Sequence, residues 1–262
     1  MSTHNTSAWG EEETKFFFAL TPDKIFSAVE RLGLRCTGRI FQLNSMENRV
    51  YEVEVLHPDS PDQMLSYIAK FYRPGRWSHE QILDEHRFLL DLEEYDLPVI
   101  SPFRTAENKT LAVLDDVAIS YALFPKARGR TPDELNDEQL ARLGRLLARV
   151  HNVGAIREAP SRIELNPQTY AISNLDYLLS NDIIPGDLAP SYETVVIQIC
   201  DLIEPMFEGV KFQRIHGDCH LGNILWGNDG PFLVDFDDMV RGPCVQDLWL
   251  MLQGNDERAL RS

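Results

Sequence analysis

The segment His216-Gly217-Asp218-Cys219-His220-Leu221-Gly222-Asn223, followed by Val234-Asp235-Phe236-Asp237-Asp238, constrains this chain more than any other. Each polar cluster adjoins a short strand-like run, Arg214-Ile215-His216 in the first case and Phe232 to Val234 in the second. Asn223 to Trp226 and a Gly227 to Gly230 turn lie between them, so the pattern is strand, Gly-bearing loop, strand, turn, strand. From Ile215 to Val240 there are five aspartates, Asp218, Asp229, Asp235, Asp237 and Asp238, and no Lys or Arg. The whole chain leans the same way: 25 Lys plus Arg against 41 Asp plus Glu give a net charge of −16 over 262 residues. A general nucleic-acid binder needs a basic face to displace counterions, so neither nucleic acid nor a polybasic membrane contact is expected.

The rest of the sequence reads as an ordinary globular protein, 44% hydrophobic and 25% charged. Its length suits one large domain or two lobes of about 100 to 150 residues. Cys36, Cys200, Cys219 and Cys244 are far apart with no Cys-x-x-Cys pair, which suggests neither a disulfide framework nor a thiolate zinc site. No membrane-helix run or secretory pattern is present, and a soluble, cytoplasmic, monomeric protein is expected. Residues 1–15 are polar and read as a loose arm.

Arg39 to Leu43, Val50 to Leu56 and Leu65 to Tyr72 read as strands; in the second, Tyr51, Val53 and Val55 alternate with Glu52 and Glu54. Ser78 opens a helix, with Gln81 completing a capping box. Its apolar stripe is Ile82, Leu89 and Leu92, and Glu85 falls on that stripe, where an acid needs a partner. Two further strands, Leu111 to Leu114 and Val117 to Phe124, complete a small α+β lobe ending near residue 125. Helical periodicity then dominates: Asn136 with Gln139 caps a helix striped by Leu140, Leu143, Leu147 and Val150, and Ser173 to Leu179 and Ser191 to Phe207 are further helices.

Phosphoryl transfer from ATP asks for a carboxylate to orient the acceptor hydroxyl, oxygen ligands for Mg²⁺ and a cation on the phosphates. Asp218 and Asn223 have the spacing of the kinase catalytic loop, and Asp235-Phe236 stands where Asp-Phe-Gly would. Of six lysines, Lys70 alone sits inside a first-lobe strand, with Glu85 as the matching acid. A metallohydrolase is the rival chemistry, since His216, Asp218, Cys219 and His220 are all possible zinc ligands, but immediate neighbours do not converge easily on one ion. A plain polar turn is the third alternative. His220 is read as bracing its loop, His151 as capping helix carbonyls, and Asp237 and Asp238 as solvated turn carboxylates.

With these segments, together with Leu43 to Tyr51, Lys70 to Trp77 and Gln81 to His86, the chain resembles the aminoglycoside phosphotransferase and choline kinase-like family of protein-kinase-like enzymes. Within it the match leans to a bacterial, cytosolic Ser/Thr protein kinase branch linked to stress. The resemblance implies an α+β, protein-kinase-like bilobal fold. A small antiparallel-sheet N-lobe, 16–125, would bind nucleotide, and a mainly helical C-lobe, 126–262, would carry the catalytic loop and metal site. Because the chain stops at Ser262, that C-lobe is expected to lack the family's C-terminal helices.

The resemblance also implies ATP and Mg²⁺ as cofactors. Asp218 would be the catalytic base, Asn223 and Asp235 the metal ligands, Lys70 the phosphate clamp and Glu85 its partner. Ser45 would approach the phosphates in place of a Gly-rich loop, adenine would lie at Leu123 and Phe124, and Asp247 would brace the catalytic loop. The implied acceptor is a Ser or Thr hydroxyl of a protein, with a small-molecule alcohol such as choline, homoserine or an aminoglycoside as the alternative. A nucleotide-binding pseudokinase serving as an interaction module is the second alternative. No Gly-x-Gly-x-x-Gly occurs at Asn44 to Arg49, and Asp247 lies only twelve positions after Asp235, too few for a long phosphorylatable activation segment.

Overall fold

The computed structural model describes residues 17–228 and 230–251; the expected N-terminal arm and Asp229 lie outside them. The chain divides into two compact units, the first running to Leu90 and resuming at Ile100–Arg128, the second taking Asp91–Val99 and everything from Gly129. A contiguous division near residue 125 does not anticipate the assignment of 91–99 to the second unit.

In the first unit, helix α1 (Pro22–Arg31) starts at Thr21, whose side chain accepts from Lys24 N, with Pro22 supplying a preset φ in the first turn. This helix precedes the first strand expected from sequence, and its cap and proline are its local signals. Strands β1 (Cys36–Leu43), β2 (Arg49–His57) and β3 (Ser60–Phe71), then β4 (Ala112–Leu114) and β5 (Ile119–Pro125), form an antiparallel sheet in the order β1-β2-β3-β5-β4. β1 and β3 start earlier than expected because their polar first residues join through main-chain pairing, as at Cys36↔Val55 and His57↔Ser60, which composition does not report. The period-2 pattern of β2 holds, with Val53 and Val55 fully buried against Ile25, Val29, Ala69 and Phe71.

Between β3 and β4, helix α2 (His79–Glu94) is opened by the expected reciprocal cap: Gln81 N donates to Ser78 Oγ (3.2 Å), and Ser78 N to Gln81 Oε1 (2.8 Å). Ile82, Glu85, Leu89 and Leu92 all lie on its buried stripe.

In the second unit, helix α3 (Asp137–Gly154) has the Asn136–Gln139 capping box and buries Leu143, Leu147 and Val150; Leu146 is buried with them, whereas Leu140 is only half-buried. A π-turn (Gln168–Ile172) leads into α4 (Ser173–Ser180), and α5 (Ala189–Ile203) follows. Short strands carry the polar loops: β6 (Gln213–Ile215) pairs with β9 (Val240–Gly242), and β7 (Ile224–Gly227) with β8 (Gly230–Leu233). Helix α6 (Gln246–Trp249) comes next. No described helix is long and apolar enough to cross a membrane.

Candidate active site

The β7–β8 hairpin explains how residues twelve apart in sequence become neighbours. Its ladder runs from Gly227↔Gly230 to Ile224↔Leu233, and Val234 N donates to Asn223 O (3.0 Å) at the open end. Asn223 and Val234-Asp235 therefore emerge side by side. Asp235 is itself in the left-handed region (φ 59°, ψ 67°), a conformation Asp tolerates better than most residues, and its side chain is exposed. The chain then turns through Phe236–Asp238 into β9.

The Asp218 loop is fixed from several directions. Asn223 Nδ2 donates to Asp218 O (2.8 Å) and to Asp218 Oδ2 (3.2 Å). His220 accepts from Gly222 N at Nδ1 (2.9 Å), which places its proton on Nε2, 3.4 Å from Asp218 Oδ2. His220 thus braces the loop, as expected. With Nδ2 committed to Asp218, the Asn223 amide has its oxygen to offer a cation, and the exposed Asp235 carboxylate leaves the adjoining strand; this donor set suits a hard, oxygen-seeking ion.

Beneath the loop, Asp247 is completely buried and accepts from His216 N (2.9 Å, Oδ2) and Gly217 N (2.8 Å, Oδ1). The expected bracing contact is present. His151 Nε2 lies 2.9 Å from the same Oδ2, so His151 serves Asp247 and not the end of its own helix. That corrects the capping role read from sequence, because a histidine on the buried face of α3 meets a carboxylate 96 residues away before it can fold back on its own carbonyls. Gln246 Nε2 donates to Gly217 O (3.2 Å), so both main-chain polar groups of Gly217 are held.

Gly217 is required here: φ is +87°, and a Cβ would lie 2.1 Å from Asp238 O. His216 donates from Nε2 to Val234 O (2.9 Å) and accepts from Asp218 N at Nδ1 (3.3 Å), which uses both ring nitrogens and weighs against a zinc-ligand role. Cys219 is buried, and that burial, with Asp247 and Asp218 nearby, pushes its thiol far up. It is a poor thiolate ligand or redox sensor. Asp237 is buried rather than solvated, a second correction, since the short turn packs inward.

In the first unit, Lys70 Nζ lies 3.9 Å from Glu85 Oε1, with both side chains at least nine-tenths buried. Its ammonium also sits 5.1 Å from the Tyr72 ring centroid, and Tyr72 Oη meets His86 Nε2 at 3.0 Å. The pairing expected from the stripe position of Glu85 is therefore present. Ser45 lies exposed in the β1–β2 turn, whose next residues are tethered: Arg73 N donates to Asn48 Oδ1 (3.0 Å), and Glu47 pairs with Arg76. Leu123 is buried on β5 and its carbonyl accepts from Phe103 N (2.7 Å), while half-buried Phe124 stands opposite Ile68.

An Asp–Asn loop, an Asp at the end of a hairpin and a Lys–Glu pair on an antiparallel sheet with one following helix define the protein-kinase-like phosphotransferase class. The solved amicoumacin kinase, in complex with AMP-PNP, Ca²⁺ and Ami, shares the fold with a TM-score of 0.68 at 23% identity, over 88% of this chain and 68% of its own. The microcompartment-associated aminopropanol kinase does so with a TM-score of 0.61 at 20% identity, over 87% and 73%. The model of the phosphotransferase enzyme family matches residues 41–261, and the chain belongs to that family. Stress response kinase A of Escherichia coli strain K12 is 35% identical over 240 residues, 91% of this chain and 70% of its own length. Serine/threonine protein kinase RdoA of Salmonella typhimurium strain LT2 is 34% identical over the same shares.

Proposed function

We propose that this chain transfers the γ-phosphoryl group of ATP, in an Mg²⁺-dependent reaction, to Ser or Thr hydroxyls of a protein in the cytoplasm. The observation that carries the reading is the clamped Asp218 loop, in which Asn223 and His220 fix Oδ2 and leave Oδ1 to meet an acceptor hydroxyl. Asp218 orients that hydroxyl and takes its proton as the oxygen attacks phosphorus. Asn223 and Asp235 hold the metal, which when bound neutralises charge on the phosphates.

In the first unit, read as the nucleotide-binding domain, Lys70 holds the α/β-phosphates with Glu85 keeping it in place. Ser45 approaches the phosphates from the β1–β2 turn, and Leu123 and Phe124 lie along adenine. The second unit is read as the catalytic domain. The protein acceptor draws support from the relatives at 34–35% identity, two of which are named as stress response and serine/threonine protein kinases. A small alcohol is the second reading, favoured by the names of the structural neighbours, which share only the fold.

The test is γ-phosphate transfer to a generic basic protein and to small alcohols, wild type beside Asp218→Asn. Transfer to the protein should fall by about 10²–10⁴-fold in the variant. Equal transfer would remove Asp218 from the catalytic role, and transfer to alcohols alone would decide for the second reading. Asp235→Ala should weaken metal-dependent nucleotide binding in calorimetry.

A further inference from the structure

Arg162 is 4% exposed and lies in the connection between α3 and α4. Its Nη1 donates to Asp237 O (2.7 Å) and Met239 O (3.1 Å), 75 and 77 residues further along the chain. Those carbonyls belong to the turn immediately after Asp235. The residues beside Arg162 strap the same stretch: Arg241 N donates to Ile163 O (3.0 Å), Leu165 N donates to Arg241 O (2.7 Å), and Arg241 pairs with Glu158 and Glu164. β9 is thus bonded on one side to β6 and on the other to 163–165. In kinases with a long activation segment, the corresponding stretch is ordered by an added phosphate that meets arginines. Here a buried guanidinium does so from within the fold, on backbone oxygens.

We infer that Arg162 is a positioning residue for the metal-binding turn, fixing Asp235 through the carbonyls of Asp237 and Met239 so that the site assembles without a modification. This rests on the proposal that Asp235 is a metal ligand. A strained left-handed aspartate keeps its direction only where its surroundings over-determine it, and Arg162 supplies two of those constraints. Loss of an outer partner of a metal ligand weakens metal affinity by about 10–100-fold.

The experiment compares wild type, Arg162→Met and Arg162→Lys, expressed without any kinase. Mn²⁺ binding is read by electron paramagnetic resonance in the presence of a non-hydrolysable ATP analogue, alongside the Mg²⁺ dependence of transfer. Arg162→Met should shift both midpoints upward by about 10–100-fold, with metal-free nucleotide affinity unchanged. Arg162→Lys, whose ammonium can still reach both carbonyls, should recover most of the loss. Folding of each variant is checked by its thermal midpoint; if Arg162→Met does not fold, Arg162→Gln, whose shorter amide cannot span both carbonyls, takes its place. Midpoints equal to wild type in folded Arg162→Met or Arg162→Gln, or a shift equal for metal and metal-free nucleotide, would overturn the inference. Absence of metal dependence in wild type would instead overturn the reading of Asp235.

Discussion

The roles proposed for the Asp218 loop and for the β1–β2 turn around Ser45 differ, and the two are built differently. In the loop, the main-chain N–H groups of residues 216, 217 and 218 all have side-chain acceptors, supplied by Asp247 and His216. The turn has its tethers at Glu47 and Asn48, after the exposed Ser45 and Met46. On the proposed function, a base at Asp218 must meet one hydroxyl at one angle, which a loop organised before substrate arrives provides. On the same proposal, a turn that approaches phosphates through hydroxyl and amide groups can form its contacts as ligand binds.

Gly217→Ala attacks the contrast where it is greatest. The added Cβ meets Asp238 O and forces an L side chain into the left-handed region, so we expect a loss of about 1–3 kcal/mol from strain alone, more with the clash, and a matching fall in thermal midpoint. A midpoint unchanged from wild type would mean that the loop yields readily.

A second, smaller effect concerns pH. Burial holds the Cys219 thiol protonated in the folded state, while the unfolded chain ionises it above its ordinary value of 9.0. The unfolded state is therefore favoured as pH rises past that value, by about 1.4 kcal/mol per pH unit for this one group. Denaturant titrations between pH 8 and 10.5 should show a shallower decline for Cys219→Ala than for wild type; parallel curves would show that the loop admits solvent.

Ser45→Ala should do least. One hydrogen bond from an exposed turn has a net worth of about 0.5–1.5 kcal/mol, so nucleotide KM should rise by about tenfold at most while kcat at saturation and thermal midpoint hold. A collapse of kcat would place Ser45 in the same organised class as Asp218.

Local patterns carried much of this structure. The Ser78–Gln81 and Asn136–Gln139 boxes, the alternation in β2 and the placement of Glu85 on a buried stripe are all properties of a few adjacent residues, and each is found in the fold. The Asp–Asn loop and the following Asp were visible for the same reason. His151, Arg162 and Gln246 were not legible in these roles, because their partners are a distant carboxylate and main-chain carbonyls, which leave no pattern in the intervening sequence. The inward turn of Asp237 was hidden likewise: an acid beside two other acids reads as solvated until the packing of its backbone is known.

The assignment of residues 91–99 to the second unit bears on how the chain is made. Asp91, almost buried, pairs with Arg214 Nη1 at 2.7 Å, and the Val99↔Leu233 bridge is longer-range still. On the ribosome, a nascent chain that has just finished β5 already carries that carboxylate but will not meet its guanidinium until some ninety residues later, counting from Pro125 to Arg214. No single cut in the gene separates the two units: an end point before Asp91 takes β4 and β5 away from the first unit's sheet, and one between Arg128 and Arg214 leaves Asp91 without Arg214, so a fragment library scanned for an independently folding N-terminal piece should yield few end points before Arg214.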